Sequence, residues 1–192
     1  MSTRSLLCVL IGLAIVSRLI PHPPNFVFLG ALGLFAGSQI RGAWGVLAPL
    51  VALAISDVIG HYAGLPGMGF YHPWLMLAVY AGVAISGLLG LALGQRPSAF
   101  GLVGASLVSS TLFFVISNFG VWATGSYPAN LSGLAACYAA AVPFFQYTLA
   151  GDLVYTALTF GTLALCRCGE IGFTLRRLAP APVRPQGSAR AN

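Results

Sequence analysis

The sequence predicts an all-α fold: a polytopic membrane protein of about six transmembrane helices in one compact bundle, with both termini cytoplasmic. Three observations carry this expectation. The first is composition. Hydrophobic residues make up 58% of the 192 and charged residues only 6%, and the mean hydropathy is +0.89. No soluble domain of this length hides so much apolar surface, so lipid is the expected solvent. The second is the placement of arginine. Arg4, Arg41, Arg96, Arg167, Arg176, Arg177, Arg184 and Arg190 all fall on one side of an even-numbered bundle, and only Arg18 falls on the other. An excess of Arg marks the cytoplasmic side. The third is a four-residue recurrence of small residues. Ala78, Gly82, Ser86, Gly90 and Gly94 form one stripe, and Ala48, Ala52, Ser56 and Gly60 form another. Gly101, Ala105 and Ser109 begin a third, and Gly33 and Gly37 make a G-x-x-x-G. Such stripes let helices pack closely where lipid supplies no hydrophobic drive.

Each element follows from its own punctuation. The first helix is expected over about 5–20, stopped by Pro21, Pro23 and Pro24, which remove backbone donors and disfavour helix before them. It resembles a signal peptide in charge and length but lacks an A-x-A-like cleavage site, so it reads as retained. The second helix is expected over about 25–40. Both are short against the roughly 20 residues that a span needs. The third covers about 43–61, with Trp44 as an interfacial anchor. A Gly-, Pro- and aromatic-rich loop follows over 63–72. The fourth covers 73–94 and the fifth about 99–121. An outer segment from Trp122 to about Pro143 is expected to hold a short separate helix near 132–141. The sixth covers about 144–165. The domain boundary is placed there: residues 1–165 form the membrane domain, and 166–192 form an Arg-, Pro- and Ala-rich cytoplasmic tail that reads as disordered.

The formal net charge of +6, with Asp57, Asp152 and Glu170 as the acidic residues, would suggest nucleic acid in a soluble chain. Here the positive charges sit at membrane edges, where anionic head groups are the natural partners, so the lipid bilayer is expected and nucleic acid is not. The cysteines Cys8, Cys137, Cys166 and Cys168 read as reduced, unligated thiols. No metal set and no cofactor motif is evident. The chain has no P-loop, no nucleophile elbow and no H-E-x-x-H, so no enzyme activity is expected.

Polar groups inside lipid are expensive and mark function by default. Arg18 ends the first helix. Asp57 and His61 are four residues apart on the third and share a face. Asn118 closes the fifth helix with Trp122 one turn on, and Tyr127 follows. Asp152 lies about two turns into the sixth. With His22, Asn25 and Phe144, these residues are the expected substrate-binding set. They suggest an outward-opening pocket between the 21–26 loop and the 118–127 segment, walled by aromatics. Plainer roles are open to several of them: Arg18 as a snorkelling residue or the ion-pair partner of Asp57, His61 (with His72) as an interfacial residue, Asn118 and Asp152 as partners of free backbone groups around Pro143 and Gly151, and Trp122 and Tyr127 as belt aromatics.

The stretch Arg18-Leu19-Ile20-Pro21-His22-Pro23-Pro24-Asn25-Phe26 resembles a known family. So do Ala31 through Gly37, Ser56-Asp57, Asn118-Phe119-Gly120-Val121-Trp122, Tyr127-Pro128, Pro143-Phe144-Phe145 and Gly151-Asp152. The family is an uncharacterised bacterial one described as transport proteins. It is similar to the substrate-binding S components of energy-coupling-factor vitamin transporters. The resemblance covers about residues 5–165. It implies six helices in the inner (plasma) membrane and capture of a small-molecule nutrient, vitamin- or precursor-like, from the outside. It also implies docking of a transmembrane coupling subunit with its ATPases on a small-residue face of the first helix. The nearest such face here is Cys8, Gly12 and Val16. Two other classes stay open: a non-transporting membrane assembly or sensory factor, and a small membrane enzyme with His22 or His61 as base.

Overall fold

The computed structural model describes residues 3–40, 42–70 and 72–178. Six α-helices are present among them, with no strand. α1 spans Thr3–Leu19. α2 spans Leu29–Phe35 and loosens into a π turn, Ala36–Ile40. α3 is Gly42–Tyr62, α4 is Pro73–Leu93 and α5 is Ala99–Val121. A second π turn, Trp122–Ser126, follows α5. α6 is Leu131–Leu178. The chain divides after Phe160. The residues up to there form the bundle, and α6 from Gly161 belongs to a second unit.

Four helices are long and apolar enough to cross a membrane: Gly42–Tyr62, Pro73–Leu93, Ala99–Ser126 and Leu131–Arg167. A 21-residue helix is about 32 Å long at 1.5 Å per residue, which matches a hydrocarbon core of about 30 Å. Ser5–Leu19 and Leu29–Ile40 are shorter.

Several boundaries differ from expectation. α2 starts at Leu29 rather than near 25. The separate helix at 132–141 does not exist as such: α6 runs unbroken through Pro143. Ala135, Ala136, Ala139, Ala140 and Ala141 lead into the proline, and alanine is the strongest helix former. Helices in apolar surroundings tolerate an internal proline when neighbouring groups take up the freed carbonyls. Pro49 is carried inside α3 in the same way. α6 also continues past 165, to Leu178. Residues 179–192 lie outside the described residues.

The bundle is inside out relative to a soluble domain. Val9, Leu13, Leu77, Leu88, Val103, Phe119 and Leu158 are exposed, while Ser38, Ser56, Ser86, Ser106, Ser109 and Ser110 are buried. Small residues face inward because they set how closely the helices approach. α4 is central, packed against α2, α3 and α5. At the α2–α3–α4 crossing a Cβ on Gly37 would strike Gly87 O, one on Gly87 would strike Gly45 O, and one on Gly90 would strike Leu34 O. Backbone meets backbone there, which only glycine permits. α1 packs on α3 and α2. α6 is held to the bundle by rings: Tyr155 lies 5.5 Å from Phe26 and 5.4 Å from Phe28, and Phe145 lies 4.6 Å from Phe114.

Candidate functional site

The connection between α1 and α2 is the most unusual segment of the chain. Pro21, Pro23 and Pro24 bring no N–H groups to satisfy. The rest of the loop is tied down locally: Phe26 N donates to Pro23 O (3.0 Å), and Phe28 N donates to Ser17 Oγ (3.1 Å). His22 Nε2 lies 3.2 Å from Arg18 O and its Nδ1 2.7 Å from Pro23 O; the neutral ring donates to one of these carbonyls, according to its tautomer. Asn25 is the one non-glycine residue with positive φ among those described, at 63°. Asn tolerates that conformation because its short amide strains the backbone least.

This loop walls a cavity of about 730 Å³. Arg18, His22 and Asn25 contribute from one side. Leu65 to Met68 cover another, after a Schellman turn in which Gly64 takes φ 66° and Leu65 N donates to Gly60 O (2.9 Å). Val79, Gly82, Val83 and Ser86 line it from α4, Ser109 and Phe113 from α5, and Thr148 and Asp152 from α6. A smaller hollow of about 200 Å³ shares Asn25, Val79, Phe113 and Thr148 with the first and adds Phe114, Ser117, Asn118 and Phe144.

Two buried carboxylates stand near this space. Asp57 is ion-paired, with Arg18 Nη1 2.8 Å from its Oδ1 and Tyr80 Oη donating to its Oδ2 (3.1 Å). Arg18 also donates to Leu53 O (3.2 Å) and to Ser56 Oγ. The guanidinium thus ties α1 to α3, and Tyr80 brings in α4. Asp152 has no cationic partner among the described residues. Ser110 Oγ lies 2.5 Å from its Oδ2. Its Oδ1 lies against Gly30, where a Cβ would overlap the carboxylate. One turn along each of these antiparallel helices, Ser106 Oγ and Thr156 Oγ1 are buried without a hydrogen-bond partner among the described residues.

The expected site residues divide accordingly. Arg18, His22, Asn25 and Asp152 line the larger cavity, and Asp57 stands behind Arg18. Asn118 and Phe144 line the smaller hollow; Asn118 Nδ2 donates to Phe114 O of its own helix (2.7 Å). Trp122 and Tyr127 line neither. Trp122 Nε1 donates to Pro128 O (3.0 Å) and its ring lies 5.5 Å from that of Phe119. His61 is exposed, edge-on to Phe70 at 5.3 Å. The 21–25 loop is therefore a wall of the large cavity and the 122–127 segment is not. Sequence reasoning missed Ser86, Ser109 and Thr148. A signal was present, since polar residues within apolar helices are costly, and Thr148 lies one turn from Asp152. Gly30 was also missed, because its role depends on a carboxylate from another helix.

No group of three or more His, Cys, Asp or Glu able to hold a metal occurs among the described residues. Cys8, Cys137 and Cys166 are free thiols. Residues 1–172 match a family described as a family of unknown function, DUF6580. No curated protein and no solved structure matches the chain.

Proposed function

The chain belongs to the DUF6580 family, and we propose that this member is a multi-pass protein of the bacterial inner membrane that captures a small nutrient from the outside for uptake. The observation that carries the reading is where the cavity lies. Its loop walls, around Pro21 to Asn25 and Leu65 to Met68, are the α1–α2 and α3–α4 connections. The opposite connections carry Arg41 and Arg96 in the sequence. By the arginine rule those face the cytoplasm, so the cavity faces out. A volume of about 730 Å³ falls within the range of roughly 300–1,000 Å³ usual for small-molecule sites. Its lining of apolar side chains with a few placed polar groups has the usual make-up of such sites.

The nutrient is vitamin- or precursor-like. The partner of such a capture protein is a transmembrane coupling subunit with its ATPases. Its docking face would be that of α1, where Cys8 and Val16 are exposed and nothing lies within 4 Å of a Cβ built on Gly12.

The test has two arms. Small molecules that co-purify with the protein are identified by mass spectrometry, and their uptake is compared in cells with and without the gene. Uptake that falls on deletion is the expected result. Unchanged uptake of every co-purifying molecule overturns the reading. The orientation is checked separately by reporters fused after Asn192: a cytoplasm-active reporter should work there, and a periplasm-active one should be silent.

A further inference from the structure

We propose that the cavity takes a small organic cation, a molecule with an apolar body and one ammonium group that seats on the Asp152 carboxylate. This names the substrate class for the capture site described above and rests on that reading.

Among the described residues, three ionisable side chains line the cavity: Arg18, His22 and Asp152. Arg18 is already neutralised, with Asp57 at 2.8 Å and further bonds to Leu53 O and Ser56 Oγ. The ring nitrogens of His22 face backbone carbonyls, Arg18 O of α1 and Pro23 O of its own loop. Asp152 alone is uncompensated. It is 6% exposed, and its bonded neighbour is the neutral hydroxyl of Ser110. A buried carboxylate without a counter-charge is unfavourable, and the cation that would relieve it is not supplied by the described residues. The fold nevertheless makes room for this group. Gly30 occupies the position where any Cβ would displace the Asp152 carboxylate.

The rest of the wall favours one ligand chemistry. Beside Asp152 stand neutral hydroxyls on Ser109 and Thr148 and apolar side chains on Val83 and Phe113. An anionic ligand would meet the carboxylate with no free cation to receive it. A neutral apolar ligand would strip water from the carboxylate and give nothing back. An ammonium group satisfies the carboxylate by charge and by hydrogen bonding together, which makes the stronger class of hydrogen bond. The apolar body then lies against Phe113 and the valines.

The experiment uses the full chain in neutral detergent. Two matched probe sets are titrated and thermal stabilisation is read: phenethylamine, phenylethanol and phenylacetate, then tryptamine, tryptophol and indoleacetate. Within at least one set the amine should stabilise the protein and bind at least tenfold more tightly than its alcohol, with the carboxylate weakest. Asp152→Asn should remove that preference. The wild-type ratio carries the test by itself if the variant does not fold. The proposal is overturned if neither amine binds, if an alcohol or carboxylate binds as well as its amine, or if the preference survives in Asp152→Asn. The two readings fail separately. Amine preference without any uptake defect on deletion leaves the site and removes transport. An uptake defect for an anionic molecule does the reverse.

Discussion

Asp57 and Asp152 are both buried carboxylates on apolar helices, and their surroundings are opposite. Asp57 holds a guanidinium and a phenol from two other helices. Asp152 holds one hydroxyl and presses against a glycine. The first arrangement closes on itself, and every strong group in it has a partner within the protein. The second is left open on the side of the cavity. The difference separates a carboxylate whose charge is matched within the protein from one that none of the described residues matches, although the two residues look alike in the sequence.

The largest test of this contrast is Arg18→Ala. Removing one member of a buried pair leaves the other charge unpaired, at about 3–5 kcal/mol. Arg18→Ala with Asp57→Ala together should be less damaging than Arg18→Ala alone, because no orphan remains. Unfolding in detergent against denaturant measures both. A double variant clearly weaker than either single one would show that the pair is not coupled.

Gly30→Ala comes next. The added methyl overlaps the Asp152 carboxylate, and overpacking of this kind costs roughly 1–3 kcal/mol. Shortening the acid with Asp152→Ala should restore most of that loss. If the two changes simply add, the glycine is not there to admit the carboxylate.

Trp122→Ala should cost about 1 kcal/mol, mainly the bond to Pro128 O. It should leave binding of any cavity ligand unchanged, since the ring lies outside both hollows. Binding lost in a folded Trp122→Ala protein would move the site back toward the 118–127 segment.

The smallest effect on stability is expected for Asp152→Asn, a change of no more than about 1 kcal/mol. An amide keeps the contact with Ser110 and is less costly to bury than a lone carboxylate. A loss as large as that of Arg18→Ala would erase the contrast between the two aspartates.

Much of this was legible in the residues. The prolines at 21, 23 and 24 marked the end of α1, and Arg18 and Asp57 stood out as the costly polar groups on their helices. The glycine and serine stripes of α4 pointed to close helix packing, and its buried Gly82, Ser86, Gly87 and Gly90 are where α2, α3 and α5 approach. The continuity of α6 through Pro143 was not legible, because a proline reads as a stop until the surroundings that tolerate it are known. Helical spacing places Trp122 one turn from Asn118, but spacing reports only neighbours along one helix.

By itself the sequence determined the all-helical class, the order of the apolar segments and the short inventory of polar groups among them. Those follow from composition and local pattern, since each helix satisfies its own backbone and its span is set by length. Only the tertiary structure decided which polar groups share a space. Ser110 meets Asp152 across antiparallel α5 and α6, Gly30 meets the same carboxylate from α2, and Ser86 of α4 and Asn25 of the α1–α2 loop come to one cavity with Thr148 of α6. Those meetings depend on how far each helix is rotated and shifted against its neighbours, and contacts between glycines many residues apart set both. No periodicity within a single helix encodes that register.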